Sequence, residues 1–70
     1  METELRELEA LLVYIIKHNT EHAEEINALA QKAASLCRDD VSIDLIRGVE
    51  KMKESNADLL KALESLRGKG

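Results

Sequence analysis

Apolar side chains recur at alternating steps of three and four residues through the first half of the chain. Ten positions follow this heptad spacing without a skip: Leu5, Leu8, Leu12, Ile15, Asn19, His22, Ile26, Leu29, Ala33 and Leu36. Such spacing places side chains on one face of an α-helix. An intervening loop would shift the phase, so we predict one helix over about residues 3–37. Asn19 and Thr20 favour the start of a helix, so a break between two helices at that point is the alternative.

The second half repeats the same spacing at eight positions: Ser42, Leu45, Val49, Met52, Asn56, Leu59, Leu63 and Leu66. Before them, Asp39 or Asp40 can accept hydrogen bonds from the free amides at the start of a helix. We therefore predict a turn at about residues 38–40 and a second helix over about residues 40–67. Because the connection is short, the helices must run antiparallel. The absence of proline agrees with a single all-α helical-hairpin domain over residues 1–70.

A lone two-helix hairpin leaves half of its apolar surface exposed, and a chain of this length has little core with which to compensate. Small or apolar residues recur every seven positions beside the heptad stripes: Ile16, Ala23, Ala30 and Cys37, then Val41, Gly48, Ser55 and Ala62. Two hairpins packing through these residues would form a homodimeric four-helix bundle. A higher helical oligomer and a monomeric three-helix bundle broken near Asn19 are the alternatives.

Charge and cysteine content narrow the class of protein. The net charge is −4 and the basic residues are scattered, which disfavours nucleic acid as a partner. The longest apolar run, LLVYII, is too short to span a membrane, and the acidic opening METELRELEA does not resemble a signal peptide. The single cysteine, Cys37, fits a reducing cytoplasm. Since the chain lacks a phosphate-binding loop and a nucleophile beside a base, we expect no enzymatic activity.

Polar residues interrupt the apolar stripes. Folding the chain about residue 39 pairs His22 with Asn56 in one layer. On a helix, His18, His22 and Glu25 share one stripe, because they are spaced by four and then three residues. Two imidazoles and a carboxylate at this spacing can bind Zn²⁺, Ni²⁺ or Co²⁺. Three further polar residues would then orient the imidazoles through hydrogen bonds: Asn19, Ser55 and Asn56.

A polar layer can also act without any metal. A single buried polar pair fixes the register and oligomeric state of a coiled coil, and His22 hydrogen-bonded to Asn56 would do this. Under this interpretation His18 is a solvent-exposed residue beside the stripe, and the protein binds no cofactor. The protein is then a non-enzymatic interaction or oligomerisation module. Under this interpretation, His22→Leu should raise the thermal stability or change the oligomeric state.

Two segments, IIKHNTEHAEEINALAQKA and KMKESNADLLKALESL, cover most of the chain. They resemble a group of short, uncharacterised prokaryotic helical-hairpin proteins that carry an HNxEHAxE motif in the first helix. The resemblance marks six residues as the signature of that group: His18, Asn19, Glu21, His22, Glu25 and Asn56. It implies no particular activity.

Overall fold

The computed structural model describes residues 2–68, and these form two helices packed against each other. α1 spans Glu2–Ser35 and α2 spans Asp39–Leu66. The prediction of an all-α antiparallel hairpin is confirmed. α1 continues through Asn19 and Thr20 without a break. The ends of the predicted 1–70 domain, residue 1 and residues 69–70, lie outside the described residues.

The turn between the helices is closed by a Schellman motif. The N–H of Cys37 donates to the carbonyl of Ala34 at 3.0 Å, and the N–H of Arg38 donates to the carbonyl of Ala33 at 2.9 Å. This geometry requires a left-handed residue after the helix, and Cys37 adopts it with φ of 63°. The position usually holds glycine, because a Cβ atom is crowded there. The backbone of Cys37 is therefore strained.

The start of α2 differs from the expected aspartate cap. Arg38 occupies the N-cap position, and its side chain makes no capping hydrogen bond. Asp40 lies in the first turn of α2, where its two carboxylate oxygens accept hydrogen bonds from Arg38 at 3.2 Å. The Arg38 guanidinium, followed by the backbone N–H of Val41, lowers the pKa of Asp40. The negative charge near the helix N-terminus is thus favoured, although the aspartate is not the cap.

α2 turns its eight predicted heptad positions toward α1. All eight are buried or half-buried, and Ser42, Val49 and Leu63 are the most enclosed.

α1 is rotated relative to the prediction. The residues that face α2 form a stripe, called here the inner stripe: Leu12, Ile16, Asn19, Ala23, Ile26, Ala30 and Ala33. Ala23 and Ala30 were expected at a contact between two chains, but they are only 9 % and 1 % exposed within the hairpin itself. Their small side chains allow the two helices to approach closely. The expectation that these two alanines form a dimer contact is therefore wrong.

The rotation leaves a second heptad stripe of α1 in solvent. This outer stripe lies one position before the inner one and consists of Leu8, Leu11, Ile15, His18, His22, Glu25 and Leu29, with Leu36 directly after the end of α1. Its leucine and isoleucine side chains are between 42 and 65 % exposed. The hairpin is a thin rod, 53 × 18 × 12 Å in extent. Neither α1 nor α2, as far as the chain is described, has a stretch of the length and apolarity needed to cross a membrane.

Candidate functional site

Asparagine side chains from the two helices meet in the middle of the inner stripe. The Nδ2 of Asn19 donates to the Oδ1 of Asn56 at 3.0 Å. The Nδ2 of Asn56 in turn donates to the backbone carbonyl of Ile16 at 3.0 Å and to the Oγ1 of Thr20 at 3.1 Å. Both asparagines are half-buried. Because their amide groups bond to each other and to α1, this layer satisfies its own hydrogen bonds.

The asparagine pair replaces the predicted pairing of His22 with Asn56. The turn is centred near Cys37 and Arg38, earlier than residue 39, so Asn56 meets the residue three positions before His22. A slip of the helices by one heptad would place each asparagine amide against an apolar side chain. The layer therefore favours one register of α1 against α2. Ser55 is exposed and is not part of these hydrogen bonds.

The two histidines lie next to each other on the outer stripe. Their Nε2 atoms are 2.9 Å apart, and the two rings meet edge to face with centroids 4.3 Å apart. This distance fits one hydrogen bond between the rings, in which one nitrogen donates and the other accepts. Both side chains are exposed. The predicted stripe of His18, His22 and Glu25 is thus present, with the two imidazoles converging.

Glu25 lies on the other side of the His22 ring. Its Oε1 is 3.7 Å from the Nδ1 of His22, whereas the contact with His18 uses Nε2. A carboxylate beside Nδ1 favours the proton on that nitrogen and leaves Nε2 free to accept. The three side chains therefore do not converge on one point, and the described residues contain no group of three or more potential ligands.

Tyr14 stacks on the His18 ring, with centroids 5.6 Å apart and planes inclined by 10°. No role for Tyr14 was predicted from the sequence pattern. Its position four residues before His18 is the signal that would have found the contact, since side chains four apart on a helix are neighbours. The stack limits the rotation of the His18 ring and holds it near His22.

A family model described as "Domain of unknown function (DUF8180)" matches residues 8–66 of the chain. The chain belongs to this family. Comparison with curated proteins gives no match, and comparison with solved structures gives none either.

The family domain contains both polar clusters. Residues 8–66 include the whole outer and inner stripes, and the asparagine pair and histidine pair lie well inside those limits. The domain thus corresponds to the hairpin from the first leucine of the outer stripe to the end of α2.

Proposed function

We propose that the chain is a non-enzymatic self-association module that forms a homodimeric four-helix bundle through the outer stripe. The observation that supports this most strongly is the pair of adjacent heptad stripes on α1. A helix with one such stripe packs on one neighbour, and a helix with two packs on two. α2 covers the inner stripe, so in this proposal a helix from another chain covers the outer stripe.

The exposed area of the hairpin supports a second copy as that partner. The chain exposes 5582 Å² for a mass of 7.8 kDa. A folded monomer of this mass exposes about 4,400 Å². The excess is roughly 1,200 Å², more than the ~800 Å² that each partner buries in a standard protein interface. Pairing of two identical outer stripes removes this excess from both chains at once.

The two faces of the hairpin differ in polarity. One face carries a groove of about 300 Å³ between the helices, with Thr20, Glu24 and Lys53 among its lining residues. His22 follows Thr20 by two residues and projects from α1 about 160° away from it, so the outer stripe flanks the opposite face. We place the dimer contact on the outer-stripe face, because five exposed leucine and isoleucine side chains lie along that stripe, whereas Glu24 and Lys53 are among the residues that line the groove.

Gly48 lies on the same face as the outer stripe. It precedes Lys53 by five residues, which is about 140° around α2. A Cβ atom added to Gly48 would meet nothing within 4 Å in the hairpin. Together with Ser55 and Ala62 at seven-residue spacing, it makes a shallow row along α2. In the proposed dimer this row of small residues lets the partner chain approach α2 closely, as their seven-residue spacing predicts.

In this proposal the asparagine pair fixes the register inside each hairpin. It holds the outer stripe at a constant height relative to Gly48, so that two copies present the same pattern to each other. A second candidate function, binding of a transition metal, is favoured by the convergence of the two Nε2 atoms at 2.9 Å.

Sedimentation equilibrium on the metal-free chain tests the dimer. We expect a mass about twice 7.8 kDa at micromolar concentrations and a melting temperature that rises with protein concentration. Leu29→Glu, on the outer stripe, should give monomers. Ile43→Glu is the matched control, because Ile43 is also an exposed apolar residue, at 51 %, but lies on the surface of α2 near Arg47 and Glu50. A wild-type monomer with a concentration-independent melt would refute the proposal.

A further inference from the structure

We infer that the histidine pairs of two chains together form a four-imidazole site for a tetrahedral divalent metal, with Zn²⁺ as the preferred ion. The inference rests on the proposed dimer, since one chain supplies only two of the ligands. Glu25 has a different role from the one expected from its spacing. It orients His22 instead of binding the ion.

The first step is the geometry of the two nitrogens. Zn²⁺ binds imidazole nitrogen at 2.0–2.1 Å, so two nitrogens on one tetrahedral ion are about 3.3 Å apart. The Nε2 atoms of His18 and His22 are 2.9 Å apart. Small rotations of the two exposed side chains open this gap by a few tenths of an ångström. The ion then takes the place of the hydrogen between the two nitrogens, and the neutral His18 ring carries its proton on Nδ1 instead.

The second step is the position of Glu25. Histidines that bind metals usually donate their other ring N–H to a carboxylate or carbonyl, which fixes the tautomer and the ring orientation. The Oε1 of Glu25 lies 3.7 Å from His22 Nδ1, on the side of the ring away from His18. In a dimer, two Glu25 carboxylates also offset the double positive charge of the ion. Tyr14 gives the His18 ring a comparable mechanical support through stacking.

The third step is symmetry. α1 spans Glu2–Ser35, so its midpoint lies between His18 and Asn19. If the α1 helices of two chains pack antiparallel over their whole length through their outer stripes, the two-fold axis passes beside this midpoint. Leu8 and Leu29 are equally far from it, so Leu8 of each chain meets Leu29 of the other chain. The same symmetry brings the two histidine pairs together at the axis.

Metal titration of chelator-treated, untagged protein tests the site. We expect one Co²⁺ or Zn²⁺ per two chains by calorimetry, and the intense visible absorption of tetrahedral Co²⁺. His18→Gln and His22→Gln should each abolish that absorption, while Glu25→Gln should keep the stoichiometry and bind 10- to 100-fold more weakly. Glu21→Gln is the control, because Glu21 is an exposed carboxylate of α1 outside the outer stripe. Circular dichroism checks that each variant remains helical.

The outcomes separate this inference from the proposed dimer. A metal-free dimer that binds no Co²⁺ or Zn²⁺ refutes the metal site and leaves the dimer intact. One metal per chain, or loss of the tetrahedral spectrum in Glu25→Gln, also refutes the site as described, because Glu25 would then be a ligand. A chain that is monomeric alone and dimeric only with Zn²⁺ supports the site and refutes the metal-independent dimer.

Discussion

Asn19 and the pair of His18 and His22 lie within one turn of each other on α1, but their surroundings are opposite. The asparagine pair belongs to the inner stripe, where Asn19 finds its partner on α2 at 3.0 Å. The histidine pair belongs to the outer stripe, where His18 and His22 lie 2.9 Å apart and their neighbours Tyr14 and Glu25 also come from α1. A polar residue in a covered stripe is satisfied within the chain and selects a register. A polar pair in an uncovered stripe retains nitrogens that can accept a ligand or a partner.

The largest expected effect comes from overfilling the inner stripe. Ala30 is 1 % exposed, so the added volume in Ala30→Leu must push the helices apart, and we expect a loss of about 3 kcal/mol in the free energy of unfolding. This corresponds to a fall of roughly 10–20 °C in melting temperature for a chain of this size. Thermal denaturation followed by circular dichroism at one fixed concentration measures it. Ala28→Leu, the same change at an exposed position, should have little effect. Equal melting of both variants would show that the inner stripe is not tightly packed.

The second effect concerns the asparagine layer. Asn56→Ala removes the partner of Asn19 and the donor to the Ile16 carbonyl, so we expect a loss of about 2 kcal/mol. Urea denaturation at constant protein concentration measures the change.

The matched control replaces both polar partners. Asn19→Leu combined with Asn56→Leu leaves no unsatisfied amide, so it should recover most or all of the lost stability. It should also relax the register, which crosslinking between cysteines introduced on the two helices would reveal as additional pairings. An Asn56→Ala variant as stable as the wild type would mean that this layer is not what distinguishes the inner stripe from the outer one.

The smallest expected effect is a gain in stability at the turn between the two helices. Cys37→Gly relieves the crowding of a Cβ atom at a φ of 63°, and we expect a stabilisation of about 1 kcal/mol. Cys37→Ala removes the thiol but keeps the Cβ atom, so it should give no such gain. Calorimetric melting of the three proteins decides between these outcomes. A gain with alanine equal to that with glycine would locate the effect in the thiol instead of the backbone.

The helices and their antiparallel arrangement follow from the sequence, because heptad spacing and a short connection leave few other folds. The rotation of α1 does not follow. Positions such as Leu29 and Ala30 are both apolar, and a hydrophobicity pattern does not indicate that the smaller one is buried. In the structure the smaller Ala30 faces α2, and the turn that accompanies this rotation uses a left-handed cysteine, which has no sequence signal of its own.

One criterion would nevertheless have found the correct register. Folding the chain about residue 39, as predicted, also sets Asn19 against Leu59. That pairing leaves a half-buried amide without a partner. Pairing Asn19 with Asn56 satisfies both amides, and buried polar groups in proteins are nearly always satisfied. The candidate residues His18, His22 and Glu25 do share a stripe, as their spacing requires. Which ring nitrogen faces which neighbour depends on side-chain rotation, and the sequence does not encode that directly.

The ion pair at the open end of the hairpin has a consequence for how the chain folds. Asn19 and Asn56 are 37 residues apart in sequence, whereas Arg67 donates to Glu9 across 58 residues. The entropy lost in closing a loop grows with its length, so contacts near Cys37 form at the lowest entropic cost and each later layer adds little. The hairpin should therefore close like a zipper from the turn. α1 extends for two turns on the N-terminal side of Glu9, and every residue of these turns is exposed. These turns should therefore be the first to exchange their amide hydrogens with solvent.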